Sequence, residues 1–271
     1  MLRNRSQGWI YAKKSGHNNE TLIAKNINDN LEYYSKYFDF AIKNCGVITG
    51  IKETLIPSIF QDKTKSKTDI VLQGKENDFL NISIKKSKGG QVFLVSPERF
   101  IKGYEIIFNV SIPDEVKKAI AEFFGNKKIL ESYNMDINYN ADNIKIQKYQ
   151  LKKQRLVAQN LTDDNADILL NWFKNNIYNI TLLCFSTGFA SSNLYYSEII
   201  WYKNLVDDKK DLNTKFFIED IATKSEKYIN LIEYGTRNGG TTIQLPFGFL
   251  QWHQCSMQFH HDFDKIAKMI S

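Results

Sequence analysis

Apolar residues in the first third of the chain recur at three- and four-residue steps: Ile23, Ile27, Leu31, Tyr34, Phe38 and Ile42. That spacing places them on one stripe and predicts an amphipathic helix over 19–43. The period then shortens. Runs around 47–51, 68–73, 79–86 and 92–95 predict short strands. Pro97 suits the first turn of a helix reaching about 110, where its missing N–H costs nothing, and 114–124 predicts another. In the second half, 163–175 reads as a helix capped by Thr162 and 192–205 as a further one. Strands are expected at 215–218, 228–234, 241–245 and 256–260, before a short terminal helix. This alternation predicts a mixed α/β fold, with a central mixed sheet flanked by helices.

The chain has 271 residues, 42% of them hydrophobic, enough to bury a real core. There is no internal repeat or Pro- or Gly-rich linker, so a single domain is expected, with the polar stretch Ser132 to Asn143 as the loop between its halves. No run approaches the roughly 18 apolar residues of a membrane span. The longest, Ile180 to Phe185, is strand-sized. The amino terminus has basic residues without an apolar region behind them, so a cytoplasmic protein without a membrane partner is expected. Cys45, Cys184 and Cys255 are scattered and form no CxxC pair, which argues against structural zinc or redox chemistry. Lys and Arg outnumber Asp and Glu by 36 to 30, a net charge of +6 that favours a polyanionic partner. A chain this rich in Lys, Asn and Ile could also owe its basicity to an AT-rich genome.

The segment from Lys65 to Lys88, KSKTDIVLQGKENDFLNISIKKSK, carries the clearest chemistry. Two strands are joined by the polar turn Gly74 to Asp78, a hairpin pattern. Side chains alternate along a strand, so Ile82 and Ile84 take the core while Ser83 and Lys85 face the other way. Lys67, Asp69 and Val71 likewise share a face, and pairing the strands sets Asp69 beside Ser83 and Lys85. Phosphodiester hydrolysis needs stabilised phosphoryl charge, an activated water and a neutralised leaving oxygen. An Asp holding Mg²⁺, the carbonyl of Ile84 as a second hard oxygen, and a Lys near the water meet those needs. Glu20 precedes Ile23 and Ile27 on the inward stripe, where a carboxylate needs a partner such as Lys85 or a hydrated metal. Asp69 also reads as a strand-end residue paired with Lys67 or Lys85, and Glu20 as a first-turn residue favoured by the helix dipole.

With these residues in view, the sequence resembles the type II restriction endonucleases of the MspI kind, within the PD-(D/E)xK superfamily. AKKSGHNNETLIAKN resembles the family's first helix with its Glu, KSKTDIVLQ…LNISIKKSKGG its catalytic hairpin, LLNWFKNN a later helix, and GGTTIQL…SMQFHH its terminal strands. The resemblance implies a PD-(D/E)xK core, a catalytic region of about 10–125 and a DNA-recognition half of about 145–271. It implies Mg²⁺-dependent cleavage of double-stranded DNA at a short, GC-rich palindrome by a monomer or weak homodimer. The family's metal-binding Asp falls on Asp69, its Lys on Lys85 and its helix Glu on Glu20. The middle position is a carboxylate or amide in that family and Ser83 here, a group that can hold a metal-bound water but ligates metal poorly. That departure leaves open a nicking or repair nuclease, or an inactive DNA-binding protein of the same fold.

Base edges are read by Arg or Lys against guanine and by Asn or Gln against adenine. Lys67, Lys86, Lys88 and Gln91 surround the basic turn after the hairpin, suited to phosphates. Arg237, Asn238, Gln244, Gln251, His253, Gln254 and Gln258 cluster between Tyr234 and His261 and are expected to read sequence. His253, His260 and His261 with Cys255 lack zinc-site spacing. Phe247, Phe249 and Trp252 read as core, and Tyr195, Tyr196, Trp201 and Tyr202 as the packed side of a helix.

Overall fold

Asn30 interrupts the stripe that the sequence presents as one long helix. The structure, a computed structural model, describes residues 5–48, 55–133, 161, 163–237, 240–253 and 256–271, with side chains from residue 16 onward except 127 and 130. In it the expected helix over 19–43 is two helices and the start of a strand. Asn30 sits outside helical geometry at φ −137° and ψ 43°, and Asp39 closes the second helix in the left-handed region at φ 52°. Ile42 therefore opens a strand instead of ending a helix.

In chain order the elements are α1 (Arg5–Asp29), α2 (Leu31–Phe38), β1 (Ile42–Val47), β2 (Leu55–Pro57), β3 (Lys63–Lys65), β4 (Ile70–Gly74), β5 (Phe79–Lys85), β6 (Gly89–Val95), α3 (Pro97–Phe108), α4 (Asp114–Phe124), α5 (Lys127–Ser132), α6 (Asp163–Asn175), α7 (Ile177–Leu182), β7 (Ile199–Tyr202), β8 (Thr214–Phe217), α8 (Ile218–Ser225), β9 (Tyr234–Arg237), β10 (Gly240–Leu245), β11 (Gly248–His253), β12 (Ser256–Asp262) and α9 (Phe263–Ile270). The fold is mixed α/β, as expected. Pro97 is the first residue of α3 under a Ser96 cap. The expected cap Thr162, residues 49–51 of the strand placed at 47–51, and 134–143 of the expected loop lie outside the described residues.

The chain packs into two compact units, residues 1–88 with 185–220, and 89–184 with 221–271. They are not consecutive halves of the chain, because the first recruits a segment more than a hundred residues downstream of its hairpin. Its sheet has the order β1-β4-β5-β7-β8, antiparallel except where β5 lies parallel to β7. The helix expected over 192–205 is a short 3₁₀ turn at Asn193–Tyr195 followed by β7. Ile199, Ile200, Trp201 and Tyr202 are all buried, the continuous apolar run of a strand covered on both faces, and periodicity alone does not separate that from a buried helix. Asn81 holds the preceding turn by donating its amide to the carbonyls of Leu194 and Tyr196, both at 3.0 Å.

The core of this unit joins Ile23, Ile27, Tyr34 and Phe38 of the helices to Ile70, Leu72, Ile82, Ile84 and Trp201 of the sheet. Each such side chain stabilises the fold by about 1.5–3 kcal/mol on leaving water. Two asparagines dock α1 on strand backbone: Asn28 exchanges both hydrogen bonds with Cys45, and Asn19 bonds the segment after β7.

The second unit carries the sheet β6-β12-β11-β10-β9, antiparallel throughout. Leu250, Met257 and Phe259 form its buried face, with Phe100 stacked 5.9 Å from Phe259. The strand expected at 228–234 is a 3₁₀ turn over Glu226–Leu231, and the strand begins only at Tyr234. β11 is an element the sequence reading did not separate, because its aromatic residues read simply as core.

Candidate active site and polar sheet face

The hairpin of β4 and β5 builds the chemically dense region of the first unit. Its turn closes with Gly74 N–H donating to Asp78 O at 2.8 Å. The register pairs Ile70 with Ile82 and Val71 with Asn81. Continuing it by one residue sets Asp69 opposite Ser83, and Asp69 N–H donates to Ile82 O at 2.9 Å. Ile82 and Ile84 are buried in the core, as alternation requires.

Asp69 Oδ2 accepts the Ile84 main-chain N–H at 2.6 Å and the Ser83 hydroxyl at 3.2 Å. Lys85 Nζ donates to Ser83 Oγ at 2.6 Å and to Ile84 O at 3.1 Å. It stands 3.9 Å from Asp69 Oδ2, an ion pair at the long end of contact, with both side chains under a fifth exposed. The ammonium thus faces three oxygens: a carboxylate, a hydroxyl and a main-chain carbonyl. A carboxylate and a carbonyl are hard donors of the type magnesium takes, so the residues fit that ion, while Ser83 adds a hydrogen-bonding group. No group of three or more His, Cys, Asp or Glu side chains that could hold a metal ion occurs among the described residues.

Glu20 lies on α1 with its side chain 12% exposed, 3.3 Å from His17 Nδ1. Its charge acts on Lys86, raising an amine that burial and Lys210 push down. Lys67 packs its stem against Gly188, where an added Cβ would meet Lys67 Cε at 3.1 Å and the φ of +51° favours glycine. Lys86 is half-buried and Lys88 exposed on the link out of β5. Lys203, a buried amine that the sequence reading did not single out, donates to Asp211 Oδ2 at 2.5 Å, and its N–H donates to Lys85 O at 3.0 Å. Asn204 spans to Lys86 O at 2.9 Å. These contacts fix the chain on both sides of Lys85.

The second unit gathers most of the expected base-reading residues on one face of its sheet. Gln91, His260, Phe249 and Gln244 lie in one cross-strand row, and Gln258, Gln251 and Thr242 in the next. Gln251 Nε2 donates to Gln258 Oε1 at 2.7 Å, and Gln258 Nε2 to Gln91 Oε1 at 2.6 Å, a chain of amides across three strands. Gln251 Nε2 also lies 3.3 Å from His260 Nε2. The Arg237 guanidinium sits 4.4 Å above the Phe249 ring, which stacks on His260 at 4.5 Å. Burial, then Arg237 and His253, pushes His260 down to about 4, so it is neutral at pH 7. Gln244 is already engaged, donating to Thr242 Oγ1 at 2.9 Å and accepting from Lys265 at 3.1 Å. His253 is exposed at the end of β11. Asn238 and Gln254 lie outside the described residues, as does Cys255. His260 was absent from the expected set, although alternation along SMQFHH places it with Gln258 on the face opposite Met257 and Phe259.

Trp201 and Tyr202 are buried on a strand instead of a helix. Phe247 is core, whereas Phe249 is covered by its polar neighbours on the amide face. Cys45 and Cys184 are buried. Among the described residues no helix is long and apolar enough to cross a membrane.

The site is thus an acid and an amine held on one strand hairpin within a mixed α/β chain. Among solved structures the chain is similar to the crystal structure of restriction endonuclease MspI in complex with its cognate DNA, with a TM-score of 0.45 and 14% identity over 87% of this chain and 77% of that one. No protein-family profile matches the sequence, and neither does any curated protein. A likeness of that size leaves the chemistry to be read from the chain's own residues.

Proposed function

We propose that the protein is a Mg²⁺-dependent endonuclease of the PD-(D/E)xK kind, hydrolysing phosphodiester bonds in double-stranded DNA. The observation that carries this reading is the convergence of Lys85 Nζ with Asp69 Oδ2, Ser83 Oγ and Ile84 O on one edge of the hairpin. Asp69 and the Ile84 carbonyl would hold the ion. When bound, Mg²⁺ neutralises charge on the phosphoryl oxygens and lowers the pKa of a coordinated water. Asp69 is pre-oriented for this task by the Ile84 N–H and the Ser83 hydroxyl. Lys85 orients the attacking water as an ammonium, or takes its proton after first losing one of its own, and steadies the phosphate; Ser83 positions a water, and Glu20 supports Lys85 or the outer shell of the ion.

The net charge of +6 supports a polyanionic substrate. The face of Gln91, Gln244, Gln251, Gln258, His253, His260 and Arg237 offers paired donors and acceptors suited to base edges, with Lys67, Lys86 and Lys88 for phosphates. By the sequence resemblance, the finer reading is a type II restriction enzyme, a monomer or weak homodimer, cutting a short GC-rich palindrome. Incubating supercoiled plasmid with the chain and Mg²⁺ tests it. Linear product that disappears with EDTA, Asp69→Ala or Lys85→Ala is expected, and fragment ends give the site.

Ser83 favours a second reading. With one carboxylate beside Lys85 on the hairpin and a hydroxyl where the family carries a carboxylate or amide, the chain would bind DNA without cutting it. Tight binding with no cleavage at any divalent ion concentration would select that reading, and a nick that never becomes a double-strand break would select a nicking or repair nuclease.

A further inference from the structure

His17 and Glu20 stand one helical turn apart on α1, so their side chains leave the same face. The pair is 11% and 12% exposed, with 3.3 Å between His17 Nδ1 and Glu20 Oε2. The other ring nitrogen, His17 Nε2, is buried and has no hydrogen-bond partner among the described residues. Leaving it so is unfavourable, and an apolar side chain would fill the space without that penalty. The ring is better explained by what it does for the carboxylate beside it.

The residue before Glu20 ties this turn to the hairpin. Asn19, 1% exposed, donates to Lys203 O at 2.9 Å and accepts from Leu205 N–H at 2.8 Å. Lys203 N–H donates in turn to Lys85 O at 3.0 Å. The turn carrying His17 and Glu20 is therefore pinned, through the segment after β7, to the end of β5 where Lys85 sits. The charge of Glu20 is felt at Lys86, the next residue along.

We infer that His17 is a positioning residue for Glu20: its Nδ1–H donates to Glu20 Oε2 and fixes that carboxylate on the turn pinned to the Lys85 end of the hairpin. The inference rests on the nuclease reading of that site.

Three substitutions separate its parts. His17→Asn places an amide nitrogen near Nδ1, His17→Gln places one near Nε2, and His17→Leu removes both. The full chain is assayed on supercoiled plasmid with Mg²⁺, recording kcat, KM for DNA, the Mg²⁺ half-saturation point and the melting temperature. His17→Leu should lower kcat by about 10- to 100-fold, the usual effect of losing an orienting partner, with KM for DNA nearly unchanged and a higher Mg²⁺ requirement. His17→Asn should recover most of the rate and His17→Gln little of it. In a Glu20→Ala background, which lacks the acceptor, His17→Leu should have no further effect, since both changes remove one interaction.

Full activity in His17→Leu, rescue by Gln instead of Asn, or losses that add in the Glu20→Ala background would each overturn the inference. Should His17→Leu fail to fold, the comparison of Asn with Gln decides alone. A wild-type chain that cleaves, loses cleavage in Asp69→Ala and tolerates His17→Leu removes only the role of His17. A wild-type chain that does not cleave with Mg²⁺ removes the nuclease reading and the inference together.

Discussion

Asp69 Oδ2 accepts the main-chain N–H of Ile84 at 2.6 Å, so the acid on one strand is locked to the backbone of the next. The carboxylate is placed by the sheet itself, and whatever it binds inherits that position. Asp69→Asn keeps an acceptor for the N–H and should melt close to wild type while losing cleavage and its Mg²⁺ dependence. Asp69→Ala leaves the N–H and the Ser83 hydroxyl without that acceptor and should lose about 1–3 kcal/mol as well. Urea unfolding beside plasmid cleavage separates the two effects. An active Asn variant would remove Asp69 from the metal site.

Lys85 should be needed for rate and not for affinity. Its ammonium is held by Ser83 and Ile84 within the same strand, so removal leaves the rest of the hairpin standing. Lys85→Ala is expected to lower single-turnover cleavage by about 10²–10⁴-fold, the range of a positioned proton-transfer group, with DNA binding in a gel shift within a few-fold. Retained cleavage would withdraw the assignment.

The acid, the amine and their common face were legible because a strand has a period of two: once TDIVLQ and NISIKK are read as paired strands, Asp69, Ser83 and Lys85 fall on one side. The turn at Gly74–Asp78 and the helices at Pro97 and Asp114 were legible from local chemistry alone. The partner of β5 was not. IIWY gives the same apolar run as a buried helix, and its pairing with β5 depends on contacts across more than a hundred residues. The break at Asn30 escaped for a related reason, since the apolar stripe continues through it at the same spacing. On the second sheet, the amide row through Gln251, Gln258 and Gln91 was readable only after β11, β12 and β6 were known to pair, because a row of amides is a property of register.

The amide face makes a separable prediction. Gln258 sits between Gln251 and Gln91 and passes hydrogen bonds in one direction, from Gln251 Nε2 through to Gln91 Oε1. Changes on this face should alter which sites are cut more than how fast an optimal site is cut. Arg237→Ala and Gln244→Ala are expected to lower discrimination between the preferred site and single-base variants by about 1–3 kcal/mol per lost base contact. Sequencing cleaved ends from a random-site library measures it. Unchanged preference in both variants would remove this face from recognition.

His260 ties stability to pH with a definite sign. Its ring is held neutral chiefly by burial and secondarily by Arg237 and His253, with its titration pushed down to about 4. In the unfolded chain the same ring titrates near its ordinary value of about 6.5. Above that value neither state binds the proton and His260 adds no pH dependence. As pH falls from about 6.5 toward 4, the unfolded chain takes up a proton that the folded chain refuses, so stability drops across this window and levels off below it. His260→Gln keeps a polar side chain beside Gln251 but cannot titrate, and should flatten that part of the profile. Melting temperatures at pH 7.0, 6.0, 5.0 and 4.5 for both proteins test it. Parallel acid sensitivity in the two would mean that other groups govern the loss and that the ring is not held neutral in the fold.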